Sequence, residues 1–401
     1  MKNSIVHITD KGAEFLRQGQ AWMFRNNLIE EKNMPENGAV CDIETIDGEY
    51  LGTGFYSTDS HIVVRIYTHN RNEVIDSSFF EKKIRNAWDF RKTVEKNNLT
   101  NCRIIFGEAD FLPGFTADRY NMILSVQITC YGLEIRKDML YGALLKVLQE
   151  EGQDVEAIYE RNDVASRTKE GLSLYKGFYG KSDFSTVQVI NENGLLLNVD
   201  IENGQKTGYF LDQKSNRVLV RQLAENKRVL DCFTHTGGFA LNAAYGNAEQ
   251  VTAVDVSETA LEEGRANARL NHLTNVEFVQ ADVFDYLDTL KLGQYDLIIL
   301  DPPAFTKSRK TVMKAYNGYK RINKQAMEVL RNGGYLVTCS CSRYMETDLF
   351  EKMLREAAFE TGVRLKQVSV TQQNADHPIL WTMNETSYLK FYIFQICGEE
   401  E

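Results

Sequence analysis

From residue 228 onward the chain alternates short apolar runs with amphipathic stretches. Strands are expected at 228–233, 250–256, 276–280, 295–300 and 335–339, and helices from Gly238 and over 258–271 and 314–331. Strands separated by helices of this length return to one sheet in parallel, so this part predicts a doubly wound, Rossmann-like α/β fold. Ligands of such sheets sit in the crevice beyond the strands' carboxyl ends. Two of these ends carry chemistry. Asp301-Pro302-Pro303 closes one run, and Thr338-Cys339-Ser340-Cys341-Ser342 closes the next. If the two strands are neighbours, a carboxylate and a thiol face one ligand.

The preceding residues read differently. Short strands at 40–46, 50–56 and 61–67, the first two joined by Asp47-Gly48, form a small β module over 1–71. An α+β unit is expected over 72–185, with helices at 78–97 and 137–150 and strands at 103–106, 122–130 and 157–161. The third domain is placed at 186–401, opening with a hairpin over 187–199. With 401 residues, 43% of them hydrophobic and 25% charged, there is enough apolar material for two or three cores. No run approaches the ~18 apolar residues of a membrane span, and the opening residues lack a secretory apolar stretch, so a cytoplasmic protein with no membrane partner is expected. Seven scattered cysteines without Cys-x-x-Cys spacing imply reduced thiols and no metal. The net charge of -10 argues against a protein coated in basic surface, so a nucleic-acid partner requires a confined positive region.

At the first strand end, Asp231-Cys232-Phe233-Thr234-His235-Thr236-Gly237-Gly238 offers a tight turn into a helix but departs from Gly-x-Gly-x-x-Gly, the dinucleotide fingerprint. Asp255 ends the second strand, followed by Val256, and Asp282 follows the third, ahead of Val283. Three successive acids suit a cofactor with an amine, ribose hydroxyls and an adenine edge, which points to S-adenosylmethionine rather than NAD. The alternative is that these acids merely cap the following helices.

Each proline of Asp301-Pro302-Pro303 fixes its own φ and restrains its predecessor, presenting Asp301 on a rigid turn. Adenine amino-methylating enzymes place an aromatic directly after such a turn, whereas Ala304 stands here and Phe305 one later. Cytosine C5 is a poor nucleophile, and its methylation requires a thiolate to add at C6 first. Cys341 is the expected nucleophile and Cys339 the second choice, with Asp301 on the base's N3 and amino edge. Buried, inert thiols are the common case in core strands, and it is the adjacent Asp301 that favours the catalytic reading. From Ala304 to Lys324 there is no acid, while Lys307, Arg309, Lys310, Lys314, Lys320, Arg321 and Lys324 alternate with Phe305, Tyr316 and Tyr319. This segment is expected to bind RNA phosphates and stack bases, the plain alternative being a solvated basic helix face.

Taken together, these residues resemble the RlmI-type bacterial large-subunit ribosomal RNA cytosine-C5 methyltransferases. The likeness runs through Lys11-Gly12, Trp22-Met23-Phe24 and Gly52-Thr53-Gly54-Phe55-Tyr56, then Arg161-Asn162-Asp163 and Glu170-Gly171-Leu172. It continues in Gly204-Gln205-Lys206-Thr207-Gly208-Tyr209-Phe210-Leu211-Asp212, the 231–238 turn, Asp301-Pro302-Pro303, Ser340-Cys341-Ser342 and Ala375-Asp376-His377-Pro378. The resemblance implies a PUA-like RNA-binding domain, an α+β middle domain and a class I methyltransferase domain. It implies S-adenosylmethionine held by Lys206, Thr207, Gly208, Phe210, Asp231, Phe233, Gly237, Asp255, Val256, Asp282, Val283 and Asp301, with Cys341 as nucleophile. Its implied partner is ribosomal RNA presenting a flipped cytosine, with a second copy of the chain as a candidate partner. A related guanine-N7 branch shares the 204–212 and 231–238 segments but needs no thiolate, and a noncatalytic RNA-binding or assembly factor is the third reading. Other RNA cytosine-C5 enzymes carry a second cysteine where Ala304 stands.

Overall fold

The computed structural model describes residues 3–96, 98–306 and 308–398. It divides into two compact units: residues 1–190, 199–211 and 375–386 form the first, and residues 191–198, 212–374 and 387–401 the second.

The first unit contains two five-stranded sheets. One orders its strands Ser4–Ile8, Val40–Thr45, Tyr50–Tyr56, Ile62–Thr68 and Trp22–Phe24, over a core that includes Val6, Met23, Ile43 and Val64. The helix Asp10–Arg17 packs on it, its first turn capped by the Thr9 hydroxyl, which accepts from Gly12 N. The other sheet runs Tyr175–Phe178, Ala157–Asn162, Ile123–Ile128, Phe115–Tyr120 and Asn101–Phe106. The helices Ser77–Glu95 and Lys137–Glu150 bury Trp88, Phe80, Leu144 and Val147 against it. The expected helix ended at Asn97, which lies outside the described residues. Asp376, far along the chain from all of these elements, is fixed here as well: its Oδ2 accepts from Arg103 N at 2.9 Å, and its carbonyl accepts from Arg91 Nη2 at 2.9 Å.

The second unit is one seven-stranded sheet: β1 (Arg228–Cys232), β2 (Gln250–Asp255), β3 (Val276–Gln280), β4 (Leu297–Leu300), β5 (Tyr335–Ser340), β6 (Arg364–Thr371) and β7 (Lys390–Cys397). Their spatial order is β3-β2-β1-β4-β5-β7-β6. The connecting helices are α1 (Lys214–Leu223), α2 (Gly238–Tyr245), α3 (Glu258–Leu270), α4 (Val283–Asp288), α5 (Val312–Val329) and α6 (Thr347–Thr361). Every residue of β4 is buried, as a central parallel strand covered on both faces requires. The strands β1 to β5 pair in parallel, but β7 runs antiparallel to β5 and to β6. The sheet is therefore mixed at one edge, because β6 and β7 follow each other without an intervening crossover helix. No helix among the described residues is long and apolar enough to cross a membrane.

Candidate active site

The strands β4 and β5 lie side by side, with Leu300 opposite Thr338. Their carboxyl ends therefore deliver Asp301 and Cys341 to one crevice, and the β1 end delivers Asp231 beside them, since Cys232 pairs with Leu300. Asp231 is almost fully buried. Its Oδ2 accepts from the Thr234 hydroxyl at 2.6 Å and from Ala240 N at 2.8 Å, whereas Oδ1 has no hydrogen-bond partner among the described residues. Burial pushes its pKa up to about 7, and the carboxylates of Asp301 and Asp255 add to the rise against the two bonds that oppose it.

The turn after β1 is strained. Phe233 and His235 hold φ of 62° and 51°, the left-handed region that costs a residue with a Cβ on the order of 1 kcal/mol. Gly237 follows at φ 86°, where an added Cβ would stand 3.3 Å from Leu241 and Phe278 side-chain atoms. This bend brings His235 N to Asp255 Oδ2 at 2.9 Å, while Asp255 Oδ1 accepts from Ser257 N at 3.0 Å. Asp282 is exposed and caps α4, its Oδ1 accepting from Phe284 N at 2.8 Å and Asp285 N at 3.4 Å. Capping thus describes Asp282 and in part Asp231, whose Oδ2 accepts from Ala240 N in the first turn of α2 while its Oδ1 has no hydrogen-bond partner among the described residues. Val256 stands 61% exposed at the mouth of the crevice, and Val283 is buried.

Asp301 Oδ2 accepts from Gln213 Nε2 at 3.1 Å. Gln213 is buried and in turn accepts from Asn216 Nδ2 at 2.7 Å, which fixes the amide's orientation. The two thiols differ. Cys339 is fully buried within a core cluster and its pKa is driven far up by burial first, with Asp301, Cys341 and Asp231 adding to it, so it is corrected from second-choice nucleophile to core residue. Cys341 lies one residue past β5, is half-buried, and brings its Sγ to 4.0 Å from the Pro302 carbonyl. The loop carrying it is pinned: the Tyr319 hydroxyl bonds both Ser340 Oγ at 3.1 Å and Ser342 Oγ at 3.0 Å, and Lys390 Nζ donates to Ser342 O at 2.8 Å.

Comparison with known proteins matches this arrangement to a family. The S-adenosylmethionine-dependent methyltransferase family matches residues 178–378, and a PUA-like domain matches residues 6–69. Ribosomal RNA large subunit methyltransferase I of Klebsiella pneumoniae (strain 342) is 40% identical, over 96% of this chain and 97% of its own. Its counterpart in Escherichia coli O139:H28 (strain E24377A / ETEC) is 38% identical over 98% of this chain and 100% of its own. The chain belongs to this S-adenosylmethionine-dependent methyltransferase family. Two solved structures share the fold: a candidate SAM-dependent methyltransferase from Streptococcus mutans (TM-score 0.81, 22% identity) and SMU.776 complexed with SAH (TM-score 0.83, 23% identity), each covering 98% of this chain and 100% of its own.

The cofactor of this methyltransferase is S-adenosylmethionine, and the residues present suit it. The Asp231 oxygen that is buried with no partner among the described residues suits an ammonium donor, and the Asp255 carboxylate retains lone pairs for hydroxyl donors. Lys206, Thr207, Gly208 and Phe210 belong to the first unit. There Thr207 is buried and its hydroxyl bonds Asp118 and, at 3.3 Å, Tyr120, while Lys206 Nζ stands 4.7 Å from the Phe210 ring centroid.

The basic segment is less available than its composition implies. Tyr316 and Tyr319 are corrected from base-stacking platforms to core residues: both are buried on the inner face of α5, and the Tyr319 ring packs 4.6 Å from Phe305 and 5.6 Å from Phe350. Lys320 pairs with Glu356 at 3.0 Å and with Glu360, and Lys324 pairs with Glu360 at 2.8 Å. Arg321 lies 3.4 Å from Asp288 on the surface. Arg309, Lys310 and Lys314 are exposed, and Lys307 lies outside the described residues. Two residues of the site escaped sequence reading. Gln213 directly follows the 204–212 segment, and Lys390 is a lone cation in the otherwise apolar stretch 389–394, a pattern that flags a buried charge.

Proposed function

We propose that this chain methylates C5 of a cytosine in large-subunit ribosomal RNA through a covalent adduct at C6. The observation that carries the reading is Cys341: a half-buried sulfur on a pinned loop, beside the turn that presents Asp301. A guanine-N7 enzyme has no use for a thiol there, because N7 is already nucleophilic. The relatives' name supplies the RNA class.

In this reading S-adenosylmethionine supplies an electrophilic methyl group, and everything else falls to the chain. Asp231 holds the cofactor's amino group, Asp255 its ribose and Asp282 with Val283 its adenine edge. The Cys341 thiolate forms the S–C6 bond, and the displaced π electrons make C5 nucleophilic. Asp301 faces N3 and the amino group, stabilising protonated N3 while the adduct exists. After methylation a base takes the C5 proton, the C5–H electron pair re-forms the C5=C6 bond, and the S–C6 pair returns to sulfur as the thiolate. Gln213 keeps Asp301 aimed at the base, and the exposed Arg309, Lys310 and Lys314 contact RNA phosphates.

Bisulfite sequencing of ribosomal RNA from cells with and without this protein tests the reading. One cytosine in the large-subunit RNA is expected to be protected only when the protein is present. Identical protection in both, with a 7-methylguanosine difference instead, would move the chain to the guanine branch.

A further inference from the structure

We infer that Lys390 is a positioning residue for Cys341, its buried ammonium holding the loop that bears the sulfur and favouring the thiolate. The inference rests on the proposed role of Cys341 and deepens it. Lys390 opens β7, directly opposite Ser340 in the antiparallel register with β5. From there its side chain reaches along the strand end, so that Nζ donates to Ser342 O at 2.8 Å and to Tyr388 O at 2.9 Å. The ammonium is therefore anchored to the residue after Cys341, while its backbone is anchored opposite the residue before it.

A lysine in this position is expensive. It is 6% exposed, and neither of its two hydrogen-bond acceptors is a carboxylate, so burial lowers its pKa to about 8 even though Cys341 and, more weakly, Glu346 hold it up. A methionine or leucine would fill the same volume in an apolar strand at no such cost, which points to the charge as the reason for its presence. The titratable groups coupled to this pocket are acidic: Asp301 and Cys341 both raise the pKa of Cys339 on β5, Cys341 raises that of the buried Tyr319 on α5, and Glu346 joins Cys341 in raising that of Lys390. Among these groups the Lys390 ammonium is the charge that favours a thiolate. Below pH about 8 Lys390 is charged and supports the thiolate, and as pH rises through that value the support is lost.

The test is the pH dependence of iodoacetamide alkylation at Cys341, quantified by peptide mass spectrometry in the full-length protein. This readout needs no RNA and no turnover, so it fails or succeeds independently of the methylation reading. Lys390→Met is expected to move the alkylation midpoint up by about one unit, which slows labelling at pH 7 about tenfold. Lys390→Arg, charged at every pH used, is expected to hold the midpoint at or below that of the parent. An unchanged midpoint in Lys390→Met overturns the inference. Should that variant not fold, a midpoint in Lys390→Arg above the parent's overturns it as well.

Discussion

Cys341→Ala is expected to lose methyl transfer by on the order of 10⁴-fold or more, while its affinity for S-adenosylmethionine stays within about twofold of the parent. Removing the sulfur removes the only route by which electron density reaches C5, so nothing partial remains. The cofactor should not notice, because its proposed anchors Asp231 and Asp255 are held by their own partners: Thr234 and Ala240 N for the first, His235 N and Ser257 N for the second. Folding should be preserved too. Cys341 lies past the end of β5 and is half-buried, and its loop is secured through Ser340, Ser342, Tyr319 and Lys390 rather than through the thiol. Calorimetric titration with the cofactor, alongside transfer of a labelled methyl group to RNA, separates the two quantities. Retained turnover would remove the covalent mechanism.

Asp301→Asn carries the second large effect, a fall in kcat of about 10² to 10⁴ with RNA affinity little changed. The substitution keeps the shape of the side chain and its place on the Pro302-Pro303 turn, but it removes the negative charge that stabilises protonated N3. It also leaves a choice with no good outcome. With the amide nitrogen turned to Gln213 Nε2, two donors meet where a carboxylate now accepts at 3.1 Å, and with it turned outward a donor faces the protonated N3 of the adduct. Single-turnover measurements at saturating cofactor and RNA report the chemical step directly. A variant with parental kcat and raised KM would recast Asp301 as a binding residue.

How much of this could be read from residues alone depends on the range of the interaction concerned. The helix expected at 137–150 forms as Lys137–Glu150, and the β4–β5 neighbour pair forms as expected, because both follow from periodicity and from the geometry of strand–helix–strand crossovers. Tyr316 and Tyr319 were misjudged although the signal was present: with Ala315, Ile322, Asn323 and Ala326 they make a stripe at helical spacing, which is a buried face. For Lys320 and Lys324 no local signal existed, since Glu356 and Glu360 come from α6, more than thirty residues away. The same holds for Lys390, whose bonds to the Cys341 loop depend on β7 running antiparallel to β5. Chemistry-bearing residues at strand ends were legible because topology delivers them; their supporting partners come from other elements and were not.

The most direct test of the covalent mechanism uses the intact protein, S-adenosylmethionine and RNA in which cytidine is replaced by 5-fluorocytidine. Fluorine at C5 cannot leave as a proton does, so after methyl transfer the sulfur stays bonded to C6. The account predicts a protein–RNA complex that survives denaturation and, after digestion, a peptide carrying the methylated nucleotide on Cys341. No such complex, or one attached through another cysteine, would contradict it.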